Sequence, residues 1–324
     1  MVFFQTGAVG RFILYIVKAA PPFMQVVLRL LKQRTVVNTS RIFTDEMTDE
    51  TMEYFKSYKF APQFTTFILQ STSRVTYRSL EPLTPVFPNV KLLTLDNFWN
   101  LDSKATEIIK QFKEIKEISF GPSHVDSLAF NNLSGCEKLE KLVIKKCISL
   151  EELSEMKALQ KLSIKKCFKL VSNIHKSLNK QNFPSLKNLD LRYMEISDDQ
   201  LEEICNNFQD QLEEFCVSRC KQLTEKGIKF VSKLNKLRRF EGRELPNVQD
   251  REIEWPKTLE EIDLRKCRNV GDKMLSSLKN NKMEKIDIES SVVSDLGIEK
   301  VLENSWEKIK CLRIFSACST LKQI

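Results

Sequence analysis

Apolar residues recur in one frame along most of the chain: apolar-x-x-apolar-x-apolar, closed three residues later by another small or apolar side chain. Val90, Leu93 and Leu95 fill it first, then Ile115, Ile118 and Phe120, Leu139, Leu142 and Ile144, Leu159, Leu162 and Ile164, and Leu186, Leu189 and Leu191. The frame continues at Leu212, Phe215 and Val217, at Leu237 and Phe240 with Gly242 in third place, and at Leu259, Ile262 and Leu264. It ends at Met283, Ile286 and Ile288 and at Ile309, Leu312 and Ile314, and a weaker copy stands at Phe64, Phe67 and Leu69. Counted from the first residue, positions 4 and 6 are two apart, so both point to one face of a short strand. From Phe64 the starts step by 26, 25, 24, 20, 27, 26, 25, 22, 24 and 26 residues. One such motif could belong to any buried strand. Ten or eleven in phase identify an internal repeat.

The stretch after each strand is patterned too. Position 9 is Cys147, Cys167, Cys220 and Cys267 in four copies and Met194, Leu245 and Ala317 in others, which suits a side chain buried at the strand exit. Next comes a polar turn, and then a small polar residue with an acid after it: Thr48-Asp49, Ser197-Asp198, Thr224-Glu225 and Ser294-Asp295, with Gly271-Asp272 as a variant. Such pairs start helices, because the first side chain caps free N–H groups and the acid suits the positive helix end. Helical spacing then appears at Leu201, Ile204, Cys205 and Phe208, at Ile228, Val231 and Leu234, and at Ile298, Val301 and Leu302. Thr48–Phe55 looks like the helical half of a first, degenerate repeat.

The period falls in the window of 20 to 29 residues that marks leucine-rich repeats. The sequence resembles the cysteine-containing leucine-rich repeats of F-box/LRR proteins, whose pattern reads roughly LxxLxLxxCxxLTDxGL. Leu212 to Ile228 matches best, with Cys220, Leu223, Thr224, Gly227 and Ile228 in register. Leu259 to Leu275 is next, with Cys267, Val270, Gly271 and Asp272. The likeness spans about residues 45–324. It departs from the pattern at 64–135, where the cysteine is missing, and at 237–255, where Gly242 and Pro246 intrude. The expected fold is α/β: a right-handed β–α leucine-rich-repeat solenoid of ten to eleven repeats over 45–324, preceded by a helical cap at 1–44.

Composition narrows the chemistry. With 8 glycines and 2 histidines in 324 residues, neither GxxxxGK[ST] nor GxGxxG occurs, and no His-based triad or zinc enzyme is easily built. No cofactor is expected. The nine cysteines form no CxxC pair and read as buried thiols. Cys216 falls at outward position 5, where it reads as a structural thiol or, with Arg219 nearby to lower its pKa, as an exposed one.

The net charge of +8 is uneven. Residues 1–44 carry Arg11, Lys18, Arg29, Lys32, Arg34 and Arg41 and no acid, which leaves 45 basic against 43 acidic residues in the rest. The apolar run at 12–17 is too short to span a membrane. Pro21 to Leu31 reads as a proline start and then an amphipathic leucine-rich helix. It fits a cap over the first repeat, a targeting segment, or, as the resemblance implies, a box that docks on a cullin-ligase adaptor through Pro22, Val26, Leu28, Leu30 and Leu31. The corresponding locations are cytoplasmic or nuclear, or mitochondrial.

Positions 3, 5, 7 and 8 are expected on the concave, strand-side surface. Read down the chain, they collect Lys141, Lys145, Lys146, Lys161, Lys165, Lys166, Arg192, Tyr193, Arg219, Arg243 and Arg265. Positions 3 and 5 mix signs, with Glu214, Glu261 and Asp263 beside Lys141 and Arg239. Like charges stacked at strand spacing repel, and the core does not require them, so the column predicts a protein partner bearing carboxylates or phosphates. Tyr193 is the one aromatic there, which argues against single-stranded nucleic acid. Taken with the resemblance, the expectation is a non-enzymatic substrate-recognition subunit of an SCF-like ubiquitin ligase. A mitochondrial or other assembly scaffold is the alternative.

Overall fold

The computed structural model describes residues 76–289, 291–303 and 305–314, together with 13–14, 36–38, 49 and 65–70. The chain divides into two units, Met1–Leu159 and Gln160–Ile324. In the first, strands β1 (Ile13–Leu14), β2 (Val36–Asn38), β3 (Thr66–Gln70), β4 (Leu92–Asp96), β5 (Glu117–Phe120) and β6 (Lys141–Lys145) pair in that order, all parallel. In the second, β7 (Lys161–Lys165), β8 (Asn188–Asp190), β9 (Glu214–Cys216), β10 (Arg239–Glu241), β11 (Glu261–Asp263), β12 (Lys285–Asp287) and β13 (Cys311–Arg313) do the same. β1 and β2 lie within the 1–44 segment. The segment Pro21 to Leu31, with Pro22, Val26, Leu28, Leu30 and Leu31, lies outside the described residues.

Register obeys the frame. Phe67, Leu93, Ile118 and Leu142 pair in sequence in the first unit. Leu162, Leu189, Phe215, Phe240, Ile262, Ile286 and Leu312 pair in the second. Position 4 is therefore one continuous row in each unit, and it is buried up to Ile286. Position 6 forms a second buried row through Leu95, Phe120 and Ile144, and through Ile164, Leu191, Val217, Leu264 and Ile288. Two apolar rows per strand, closed by the position 9 side chains, make the interior of a leucine-rich-repeat stack.

Helices return the chain in most repeats: Ser103–Ile109 and Ser127–Leu133 in the first unit, and Asp198–Asn207, Glu225–Lys229, Asp272–Ser276 and Asp295–Leu302 in the second. Residues 146–159 and 242–260 contain none. These are the repeats with the two shortest steps, which leave no length for a helical turn. Val248, Ile253 and Trp255 fill the helix's place in the later one. The Trp255 ring meets Phe240 at 5.6 Å, and its indole N–H donates to the Met274 carbonyl at 3.4 Å.

The acid after each helix cap does more than favour the helix end. Asp198 opens one helix, yet its carboxylate accepts from the N–H and hydroxyl of Thr224 in the next repeat, at 2.9 and 2.6 Å. Asp272 holds Ser294 the same way at 2.7 and 2.5 Å, and Asp49 holds Thr76 at 2.9 and 2.6 Å. Asp250 accepts from the N–H groups of Gly271, Lys273 and Met274. Asp198 and Asp272 thus staple one helix start to the next, Asp49 reaches Thr76 in the same way, and Asp250 holds the following helix start from a repeat without a helix.

Candidate interaction surface

The corner after each strand has one backbone requirement. Asn97, Lys146, Lys166, Tyr193, Arg219, Glu244 and Lys266 all have φ between 54° and 63°, the left-handed region. Every one stands at position 8. The turn swings the position 9 side chain inward, where the Cys220 thiol donates to the Leu191 carbonyl at 3.1 Å and that of Cys267 to Gly242 at 3.0 Å. It also keeps the ladder going, since the N–H groups of Tyr193, Arg219, Glu244 and Lys266 donate to the position 7 carbonyl of the next repeat. Glycine or asparagine adopts this conformation cheaply, whereas other residues lose roughly 1–2 kcal/mol.

In the second unit these side chains touch in series. The Lys166 ammonium sits over the Tyr193 ring at 4.6 Å, and the Arg219 guanidinium over the same ring at 4.8 Å. Arg219 also donates to the Tyr193 hydroxyl and pairs with Glu244 at 2.6 Å, and Glu244 reaches Lys266 at 3.8 Å.

Beside this row the structure supplies a feature the expected basic column lacks. Lys165 pairs with Asp190 at 3.0 Å, and Asp190 with Arg192 at 3.1 Å. Arg192 reaches Glu241 at 3.7 Å, and Glu241 meets Arg243 at 3.3 Å. Arg243 meets Asp263 at 2.8 Å, Asp263 meets Arg265 at 2.9 Å, and Asp287 takes both Arg265 and Arg313 at 3.3 Å. The stacked cations are therefore one side of an alternating ladder. Its acids stand at position 5 and its bases, except the terminal Arg313, at position 7, and this two-residue offset is the signal that reading each column separately misses. At β9 the ladder carries Cys216 and Ser218 instead, and Arg192 spans the neutral rung because both side chains are short.

The first unit holds a smaller version. Lys141 pairs with Glu117 at 2.6 Å, and Lys145 approaches Asp96 at 4.0 Å across β5, where Gly121 offers no side chain. A Cβ on Gly121 would lie 2.7 Å from Asp96 Oδ1. Of the eleven residues named from the sequence, Lys146, Lys161 and Lys166 form no ion pair among the described residues. All three belong to the lysine-rich stretches Lys-Leu-Val-Ile-Lys-Lys at 141–146 and Lys-Leu-Ser-Ile-Lys-Lys at 161–166.

Cys216 is not an exposed thiol. It is buried, and burial with Asp190 beside it pushes its thiol up to about 12. The guanidinium that opposes this rise is that of Arg192, not Arg219. Burial likewise raises Cys205 to about 12, Cys136 and Cys267 to about 11, and Cys220 further still. Among the described residues no group of three or more His, Cys, Asp or Glu side chains could hold a metal ion, and no helix is long and apolar enough to cross a membrane.

Strand, left-handed corner, inward position 9 and helical return define the leucine-rich-repeat fold. No family model and no curated protein matches the sequence. Among solved structures, the chain is similar to one in the crystal structure of the Rad7 and Elc1 complex in yeast. That likeness has a TM-score of 0.50 and 13% identity, and it covers 90% of this chain and 82% of the other. It is also similar to an internalin, InlF, from Listeria monocytogenes, with a TM-score of 0.49, 13% identity, and coverage of 92% and 85%.

Proposed function

We propose that this chain is a non-enzymatic protein-interaction module whose strand face holds an acidic or phosphorylated segment of a partner. The observation that carries the reading is the set of cations left over once the ladder is satisfied. Lys146 in the first unit and Lys161 and Lys166 in the second are accessible, form no ion pair among the described residues and stand at strand ends. An anionic partner would neutralise them. Lys141 and Lys145 belong to the same reading in the first unit, and Lys165, Tyr193 and the arginines at 192, 219, 243 and 265 in the second. The similar yeast chain comes from a two-protein complex, and this supports a partner-binding role.

At a finer level, the module is the substrate-recognition subunit of a cullin-type, SCF-like ubiquitin ligase, in the cytoplasm or nucleus, with the adaptor docked through residues 1–44. The support is the repeat pattern at Leu212–Ile228 and Leu259–Leu275 and the proline-led leucine-rich stretch at Pro22–Leu31. The acid-free, basic start of the chain favours a second reading, a mitochondrial assembly scaffold with a targeting segment.

Affinity capture from cells tests all three statements. The triple variant K146E/K161E/K166E should lose the partner while its thermal midpoint moves by a few degrees only, because it breaks no ion pair and, of the contacts described, only the half-exposed one between Lys166 and Tyr193; unchanged capture removes the strand-face reading. Removing residues 1–44 should lose a cullin adaptor while the partner stays. If the full chain brings down no adaptor but is imported and shortened by isolated mitochondria, the scaffold reading replaces the ligase reading.

A further inference from the structure

The left-handed row of the second unit carries more information than a basic patch. Lys166, Tyr193, Arg219, Glu244 and Lys266 occupy the same position on five successive strands, β7 to β11. In order they present a cation, a phenol, a cation, an anion and a cation. The backbone needs only a left-handed residue at each point, and Asn97 shows the economical choice. Five larger side chains accept that cost in series. Contacts with their neighbours hold each of them, so their positions are set before any partner arrives. Lys266 is exposed, and the other four are half-exposed.

The spacing selects the shape of the complement. Adjacent strands are about 4.8 Å apart, so the row advances about 19 Å over its four steps. An α-helix rises about 1.5 Å per residue, and a residue returns to one face every three or four, or about 5 Å. Positions i, i+4, i+7, i+11 and i+14 of a helix therefore span about 21 Å and keep step with the row. Side chains on one face of an extended segment recur about every 6.7 Å and drift out of register by the third contact.

We propose that this row docks a helix of a partner protein lying across the strands. Its contact face reads acid, acceptor, acid, base, acid at i, i+4, i+7, i+11 and i+14. The acids meet Lys166, Arg219 and Lys266, the acceptor takes the Tyr193 hydroxyl, and the base meets Glu244. The inference rests on the reading of the chain as a protein-binding module, and it adds the partner's secondary structure and charge order.

The test uses a displayed library of alanine-based helical 18-residue peptides, with Glu, Gln or Lys allowed at those five positions, selected on the full chain at low salt. Peptides of the order Glu, Gln or Glu, Glu, Lys, Glu are expected to be enriched. The variant R219E should bind them at least tenfold more weakly, and a peptide with the i+7 acid changed to Arg should restore the loss. K166E, at a lysine outside the ion pairs, should weaken binding in the same direction without relying on the ladder. A central proline should abolish binding. The proposal is overturned if enriched peptides lack this order, if R219E and K166E bind them unchanged, or if proline-broken peptides bind equally well. Those results leave the broader reading standing wherever K146E/K161E/K166E still loses the cellular partner.

Discussion

At the scale of single residues, two glycines and one lysine show how the repeat is tuned. A Cβ on Gly227 would stand 2.2 Å from Asp198 Oδ1, and one on Gly297 2.3 Å from Asp272 Oδ1. Both glycines sit inside helices, where alanine is ordinarily preferred by about 1 kcal/mol. Here the stapling carboxylate of the preceding repeat occupies the space. Gly227→Ala should therefore lower stability by about 2 kcal/mol, the usual scale of overpacking, in urea denaturation. A gain would show that the staple can move at no cost. Lys146 poses the opposite case, with φ at 54° and no ion pair among the described residues. Relief of left-handed strain outweighs the added freedom of the unfolded chain, so Lys146→Gly should raise stability by roughly 0.5 kcal/mol. A lower thermal midpoint would contradict this account of position 8.

At the scale of elements, the ladder ties strands β7 to β13 together by charge as well as by backbone. Asp263 sits inside it, its buried carboxylate taking both Arg243 and Arg265. Asp263→Ala would take one of two acids from each of two half-exposed guanidiniums, leaving Arg243 with Glu241 and Arg265 with Asp287. The cost should be about 2–3 kcal/mol, below the figure for a fully buried pair because water reaches the arginines. Lys161→Ala on the same sheet should change stability by less than about 0.5 kcal/mol. Asp287 adds a pH dependence. Burial, with Asp263 nearby, holds its carboxyl above the ordinary value despite Arg265 and Arg313, and its Oδ1 has no hydrogen-bond partner. A carboxyl raised in the folded state binds its proton more tightly folded than unfolded. Its contribution to stability therefore grows as pH falls toward the ordinary carboxylate range, and is lost as pH rises through the raised value. Measured from pH 7 to pH 4, the stability of Asp287→Asn minus that of the native chain should shrink; a constant or widening difference contradicts the direction.

At the scale of the whole molecule, charge has two uses with different salt responses. Ladder pairs are partly sheltered and short-ranged, while contacts to Lys146, Lys161 and Lys166 form in water. Raising NaCl from about 50 mM to about 500 mM shrinks the screening length from about 14 Å to about 4 Å. Partner capture should fall at least tenfold over that range while the thermal midpoint moves by a few degrees only. Parallel losses would place the partner contact on the ladder itself.

Period, strand positions and buried rows were legible in the order of amino acids, because burying one face of a short parallel strand imposes a two-residue alternation that repeats with each turn. The helix starts were legible too, from Ser197 and Thr224, whose capping is local chemistry, while Ser294 marks a helix start but gives its hydroxyl to Asp272. Asp198 and Asp272 showed only half their role, because the Thr224 and Ser294 groups they hold lie more than twenty residues away. Half of the ladder is local, since Asp190, Glu241 and Asp263 stand two residues before Arg192, Arg243 and Arg265. Stacking supplies the links between repeats, from Lys165 to Asp190, Arg192 to Glu241, Arg243 to Asp263 and Arg265 to Asp287, and these the sequence concealed. Left-handed corners at position 8 were likewise invisible in Lys, Tyr, Arg and Glu, none of which announces positive φ as glycine does. Local periodicity thus determined the repeat, and packing between repeats decided which charges are spent within the molecule and which remain for a partner.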